Sequence, residues 1–136
     1  MRTPLLFLVL AGCGQSLTIA MVQQNNSGQD GFAVLTEAGE LVEIEVKIKR
    51  SNVDGNQTSH VHEGRCDNVG KIAAGIRMAN PLEISNKANT AELDGELLVF
   101  KTQLQTPLSA LRDGKHVINV HDARDSSLYT SCGEID

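Results

Sequence analysis

Tryptophan is absent from this 136-residue chain, tyrosine occurs once and phenylalanine three times. Its core must therefore be aliphatic, and it has no row of aromatic side chains on which bases could stack. Clustered positive charge is also missing. Twelve Lys and Arg face seventeen Asp and Glu, a formal charge of −5, which has the wrong sign for a nucleic-acid partner or an anionic lipid surface. The apolar run at Leu5 to Leu10 falls well short of the roughly 20 residues that span a bilayer as a helix. Proline is scarce, with three residues, and there is neither an internal repeat nor a low-complexity tract. No long stretch carries apolar residues at helical spacing.

What the chain does have is alternation. Val42-Glu43-Ile44-Glu45-Val46-Lys47-Ile48-Lys49 switches between apolar and charged at every step, which puts Val42, Ile44, Val46 and Ile48 on one buried strand face. Leu17 to Val22, Phe32 to Thr36, Thr58 to His62, Thr90 to Leu93, Leu97 to Leu104, His116 to His121 and Tyr129 to Cys132 are further strand candidates. The segments Asn25-Asn26-Ser27-Gly28, Ala38-Gly39, Asp54-Gly55-Asn56, Asp94-Gly95 and Asp113-Gly114 supply turn chemistry between them. Pro107 to Arg112 reads as one helical turn, with Thr106 as N-cap and Pro107 as first residue. Gly70 to Met78 has no clear period. Short strands at this spacing predict an all-β antiparallel sandwich or barrel, with Met21 and Met78 as core residues.

Met1-Arg2-Thr3, the apolar run from Pro4 to Leu10 and the tetrad Leu10-Ala11-Gly12-Cys13 follow the order of an export signal. The tetrad resembles the lipobox of bacterial lipoproteins, which implies that Cys13 is acylated and residues 1 to 12 are removed. Removing twelve of 136 residues leaves 124, enough for one domain. Arg2 is the one charged residue lost, so the charge becomes −6. The expected organisation is a signal at 1–12, a lipidated cysteine with an N-terminal strand or linker at 13–30, and a β-domain at 31–136. Gly14 stands where inner-membrane lipoproteins carry Asp, which favours an outer-membrane or cell-surface anchor facing the periplasm or the exterior.

With Cys13 lipidated, Cys66 and Cys132 remain, and an even pair in an exported domain is most simply a disulfide. The alternative is two free thiols, one of them a soft metal ligand. His60 and His62 are two positions apart on a strand and share a face, so a third imidazole from a neighbouring strand, His121, completes a candidate metal site. His116, five positions before His121, faces the other way. Glu63, Asp122 and Asp125 are candidate carboxylates to orient the imidazoles. Three neutral imidazoles suit copper or zinc, and the Irving–Williams order favours Cu²⁺.

Three stretches now carry a resemblance. Ser59-His60-Val61-His62-Glu63-Gly64-Arg65-Cys66, Val117-Ile118-Asn119-Val120-His121-Asp122-Ala123 and Ser131-Cys132-Gly133-Glu134-Ile135 are similar, in order, to signature stretches of copper/zinc superoxide dismutases. A similar short pattern also occurs in chordin-type domains. The resemblance implies a Greek-key β-barrel, copper on His60, His62 and His121, and a Cys66–Cys132 disulfide. It also exposes departures. No histidine lies between Cys66 and Leu111, so the bridging histidine and the separate zinc site of that family have no counterpart. Ten residues separate His121 from Cys132, and Tyr129 occupies the place of the family's guiding arginine, for which Arg124 is the nearest substitute. Three functions remain in view: a copper-binding lipoprotein, a low-activity copper-only dismutase, and a metal-free interaction module on the same fold.

Overall fold

Val42, Ile44, Val46 and Ile48 are each at most 2 % exposed, while the charged residues between them face outward. The computed structural model describes residues 14–51, 56–73, 82–85, 93–94 and 97–136. Its strands are β1 (Ser16–Gln23), β2 (Gly31–Ala38), β3 (Leu41–Lys49), β4 (Asn56–Arg65), β5 (Asn68–Ile72), β6 (Leu82–Ser85), β7 (Leu93–Asp94), β8 (Leu97–Leu104), β9 (His116–His121) and β10 (Tyr129–Ile135). One short helix, α1 (Leu108–Leu111), lies between β8 and β9. The expected residues 1–13, including Cys13, lie outside the described residues, as do Met78, most of the Thr90 to Leu93 strand, and Gly55 and Gly95 of two expected turns.

Every pairing is antiparallel, in the order β5-β4-β9-β10-β1-β2-β3-β8-β7, with β6 on the same edge of β4 as β5, along Asn56 to Ser59. Strand β1 joins two layers. Its first part, Ser16 to Met21, pairs with β2, and Val22 and Gln23 pair with β10. Residues 16–23 are thereby tied into both layers. The neighbours β3/β8 and β4/β9 are far apart in sequence and make the Greek-key crossings. The fold is thus the expected all-β antiparallel one in its sandwich form, because no pairing among the described residues joins the β6 and β7 edges into a closed barrel.

Between the layers lies an aliphatic core of Ile19, Met21, Ala33, Leu35, the β3 face, Val61, Leu98, Leu104, Leu108, Leu111, Ile118, Val120 and Ile135. Fully burying one such side chain contributes about 1.5–3 kcal/mol. Helix α1 corrects one expectation. Pro107, with extended φ −72° and ψ 151°, is the N-cap itself, and no side chain caps the turn, so Thr106 does not hold that role. Leu108 and Leu111, three apart, both enter the core. Packing therefore stabilises this turn where a capping hydroxyl does not.

Candidate metal centre

Strands β4 and β9 set the site by register. His60 stands opposite Asn119 and His62 opposite Val117, while Val61, Ile118 and Val120 point into the core. Alternation then puts His60, His62, Val117, Asn119 and His121 together on the outer face. The ring centroids of His60 and His62 are 5.7 Å apart, those of His60 and His121 5.2 Å, and those of His62 and His121 5.5 Å. One nitrogen from each imidazole lies within 4.8 Å of the others. His62 and His121 are 5 % and 8 % exposed, and His60 is half-buried.

Backbone carbonyls fix which nitrogens converge. His62 Nδ1 lies 2.9 Å from Gly70 O, and His121 Nδ1 lies 2.7 Å from Ser126 O. A carbonyl can only accept, so each Nδ1 carries the proton and each Nε2 keeps a lone pair. His60 Nδ1 faces His121 Nε2 at 3.2 Å. Nε2 of His62 is buried and has no hydrogen-bond partner. Burial, followed by the neighbouring imidazoles, lowers the pKa of His60; burial also lowers that of His62, against the opposing bond to Gly70. Imidazole nitrogens that converge in this way, one of them orphaned, fit a transition-metal ion, which prefers unprotonated imidazole.

The walls come from three short segments. A register shift opposite His62 to Gly64, with the extra residue on β5, lets the β4–β5 hairpin carry Gly70 back to His62. Gly64 sits there at φ +108°, and a Cβ would meet Asn68 O at 2.5 Å, so glycine is required. Cys66, just beyond, is bonded to Cys132 of β10 with Cα atoms 5.8 Å apart. The disulfide is therefore formed as expected, and the free-thiol alternative falls away. Its surroundings are tied down too: Glu134 accepts from the Cys66 amide at 3.2 Å and pairs with Arg65, and Gln24 Nε2 donates to Cys66 O at 3.0 Å. The segment after β9 is a chain of turns. Asp122 accepts from the amides of Arg124 and Asp125, Asp125 accepts from the amide and hydroxyl of Ser127, and the loop closes where Asp122 N donates to Leu128 O at 2.9 Å.

These contacts correct the expected role of the acids. Asp122 and Asp125 shape the loop that presents Ser126 O, and neither they nor Glu63 bonds an imidazole among the described contacts. Glu63 follows His62 on the strand and so takes the opposite parity. His116 is held apart, its Nδ1 2.8 Å from Asp113 Oδ1. Arg124 is exposed in the loop. Tyr129, opposite His121 in the register, packs its ring edge-on against His121 at 5.1 Å and His62 at 6.1 Å.

Beneath the triad, on the core side of the sheet, lies a polar layer that the sequence reading did not single out. Gln57 Nε2 donates to His121 O at 3.0 Å, to Gln29 Oε1 at 2.7 Å and to Thr130 Oγ1 at 3.0 Å, and Gln29 Nε2 returns a bond to Gln57 Oε1 at 2.9 Å. The two amides are at most 1 % exposed, so this reciprocal pairing is what makes their burial tolerable. Asn119, fully buried, has no partner on either side-chain atom. Its parity with His121 is the one sequence signal that marks it. Comparison with protein-family models, with curated proteins and with solved structures finds no match to this chain.

Proposed function

We propose that this protein is an exported lipoprotein whose β-sandwich binds one copper ion through His60, His62 and His121, on the periplasmic side of the envelope or at the cell surface, with a superoxide dismutase-like arrangement. The observation that carries the metal-binding half is the convergence of three imidazole nitrogens within 4.8 Å, with the buried Nε2 of His62 left without a partner. Bound copper would supply a Lewis-acidic, one-electron redox centre. The protein's contribution is to hold two Nδ1 protons on Gly70 O and Ser126 O so that the opposite nitrogens stay free to ligate. All-nitrogen ligation ranks Cu²⁺ above Zn²⁺ at equal availability. The Cys66–Cys132 bond supports an oxidising compartment, and the lipobox-like Leu10 to Cys13 tetrad supports the anchor.

Metal content of protein purified from an exported, disulfide-competent source is the direct test. One copper per chain, lost in His60→Ala and in His121→Ala, is expected; copper-free wild type, or copper retained in both variants, refutes the reading. A copper-only dismutase is the second reading, favoured by the partial exposure of His60, which gives a small anion a route to the triad. Superoxide removal by the copper-loaded wild type no faster than by His121→Ala excludes it. For the anchor, incorporation of labelled fatty acid that disappears in Cys13→Ser is expected, and unlabelled wild type overturns it.

A further inference from the structure

Asn119 is the one side chain on the histidine face whose chemistry nothing above uses. It is fully buried, and both its Oδ1 and its Nδ2 lack any hydrogen-bond partner. Its position is defined on three sides. His60 is directly opposite on β4, Cys132 is directly opposite on β10, and His121 follows two residues later on the same strand face. Directly opposed residues hold their Cβ atoms about 4.5–5.5 Å apart. Asn119 is therefore the cross-strand neighbour of His60 and the same-face neighbour of His121, the two imidazoles whose Nδ1 and Nε2 meet at 3.2 Å. The disulfide, built on Cys132, walls it from the other side.

A buried amide that finds no protein partner is usually matched by something else in its cavity. The surroundings narrow the choice. Val117, Ile118 and Val120 beside it on β9 are apolar, and His60, His62 and His121 are metal-ligating side chains on its own face. An amide oxygen is a neutral donor that could supplement imidazole nitrogens around copper.

We propose that Asn119 belongs to the metal centre, its Oδ1 acting as a fourth, oxygen donor presented to the ion from the sheet side. This inference rests on the three-histidine reading. It makes the site a three-nitrogen, one-oxygen set, distinct from an all-histidine one, and leaves the outward side, flanked by Tyr129 and the half-buried His60, to an exogenous ligand.

The test is copper(II) titration and electron paramagnetic resonance of the exported full chain as wild type and as Asn119→Val, with thermal melting of the metal-free proteins alongside. The variant is expected to fold and to melt no lower than wild type, since it removes an unsatisfied amide. It is expected to bind copper about tenfold more weakly, with a changed copper hyperfine splitting. Wild-type affinity and an unchanged spectrum overturn the proposal. Should Asn119→Val fail to fold, zinc added to ¹⁵N-labelled wild type decides: a selective shift of the Asn119 side-chain amide resonance supports it, and an unmoved resonance overturns it. A wild-type chain that takes up no metal fails at the first titration and brings down the triad reading itself, so the two failures are told apart.

Discussion

The outer faces of the two layers solve the same problem in opposite ways. On β3 the outward residues Glu43, Glu45 and Lys47 are charged, and the first two meet cross-strand partners on β8, beside the apolar Phe32 and Val34 of β2. Glu45 stands opposite Lys101, 2.7 Å away, and Glu43 opposite Gln103, 3.1 Å away. On β4, β9 and β10 the outward residues around the triad are His60, His62, Val117, Asn119, His121 and Cys132, uncharged and mostly buried, with the Glu134–Arg65 ion pair at their margin. The first face keeps its polar groups in water, where each pair contributes roughly 0–1 kcal/mol and substitutes are easily found. The second withdraws its polar groups from water, where each needs a specific partner, and an unsatisfied one costs about 1–3 kcal/mol. A face that bears such a cost is organised for something other than stability alone. Among the described residues the buried side-chain groups left without partners are His62 Nε2 and Asn119, both on the histidine face, and Ser131 Oγ.

The sharpest way to break the comparison is to cut the covalent tie that only the histidine face possesses. Cys66→Ser with Cys132→Ser is expected to lower unfolding free energy by about 2–5 kcal/mol, given a 66-residue separation between the bonded cysteines. Denaturant titration of both proteins reads this directly. Copper affinity should fall in parallel, because the bond joins the end of β4 to β10 beside Asn119 and Tyr129. Replacing Glu45 and Lys101 together by Gln and Met should change stability by less than about 1 kcal/mol and leave copper binding untouched. Equal losses from the two double variants would mean that the faces do not differ as argued.

The same contrast explains what was legible in the residues. The β3 alternation and the shared parity of His60 and His62 are side-chain periodicities, and each survived folding because a sheet preserves parity along a strand. The cysteine pair was readable because an even pair remains once Cys13 is set apart as the expected lipidation site. What escaped notice carries no such mark. Gly70 and Ser126 act through backbone carbonyls, which every residue possesses, and they reach the imidazoles only because the register shift opposite His62 to Gly64 and the Asp122–Leu128 turns bring them back. Gln29 and Gln57 are far apart in sequence and meet only after β4 has crossed to the second layer. The carboxylates Glu63 and Asp122 were named from proximity in sequence, and parity and loop closure turned them elsewhere.

Acid titration of the metal-free protein separates the faces with a smaller effect. His60 and His62 have pKa values below the 6.5 of an unperturbed imidazole, chiefly because burial disfavours their charge. The unfolded chain therefore binds protons first as pH falls through 6.5, and the folded state loses stability from there down to the folded pKa values, with no change above 6.5. Glu45 behaves differently. Its hydrogen bond from Lys101 holds its pKa below 4.5, so its contribution is complete above 4.5 and is lost only as pH falls further towards the folded value. Between pH 6.5 and 4.5 the histidine face should thus be the one that loses stability. Chelator-treated protein unfolded by denaturant at stepped pH is expected to show a decline in that window, reduced by His62→Gln and unaffected by Glu45→Gln. A decline that persists in His62→Gln and vanishes in Glu45→Gln would reverse the assignment and place the strained, buried titration on the other layer.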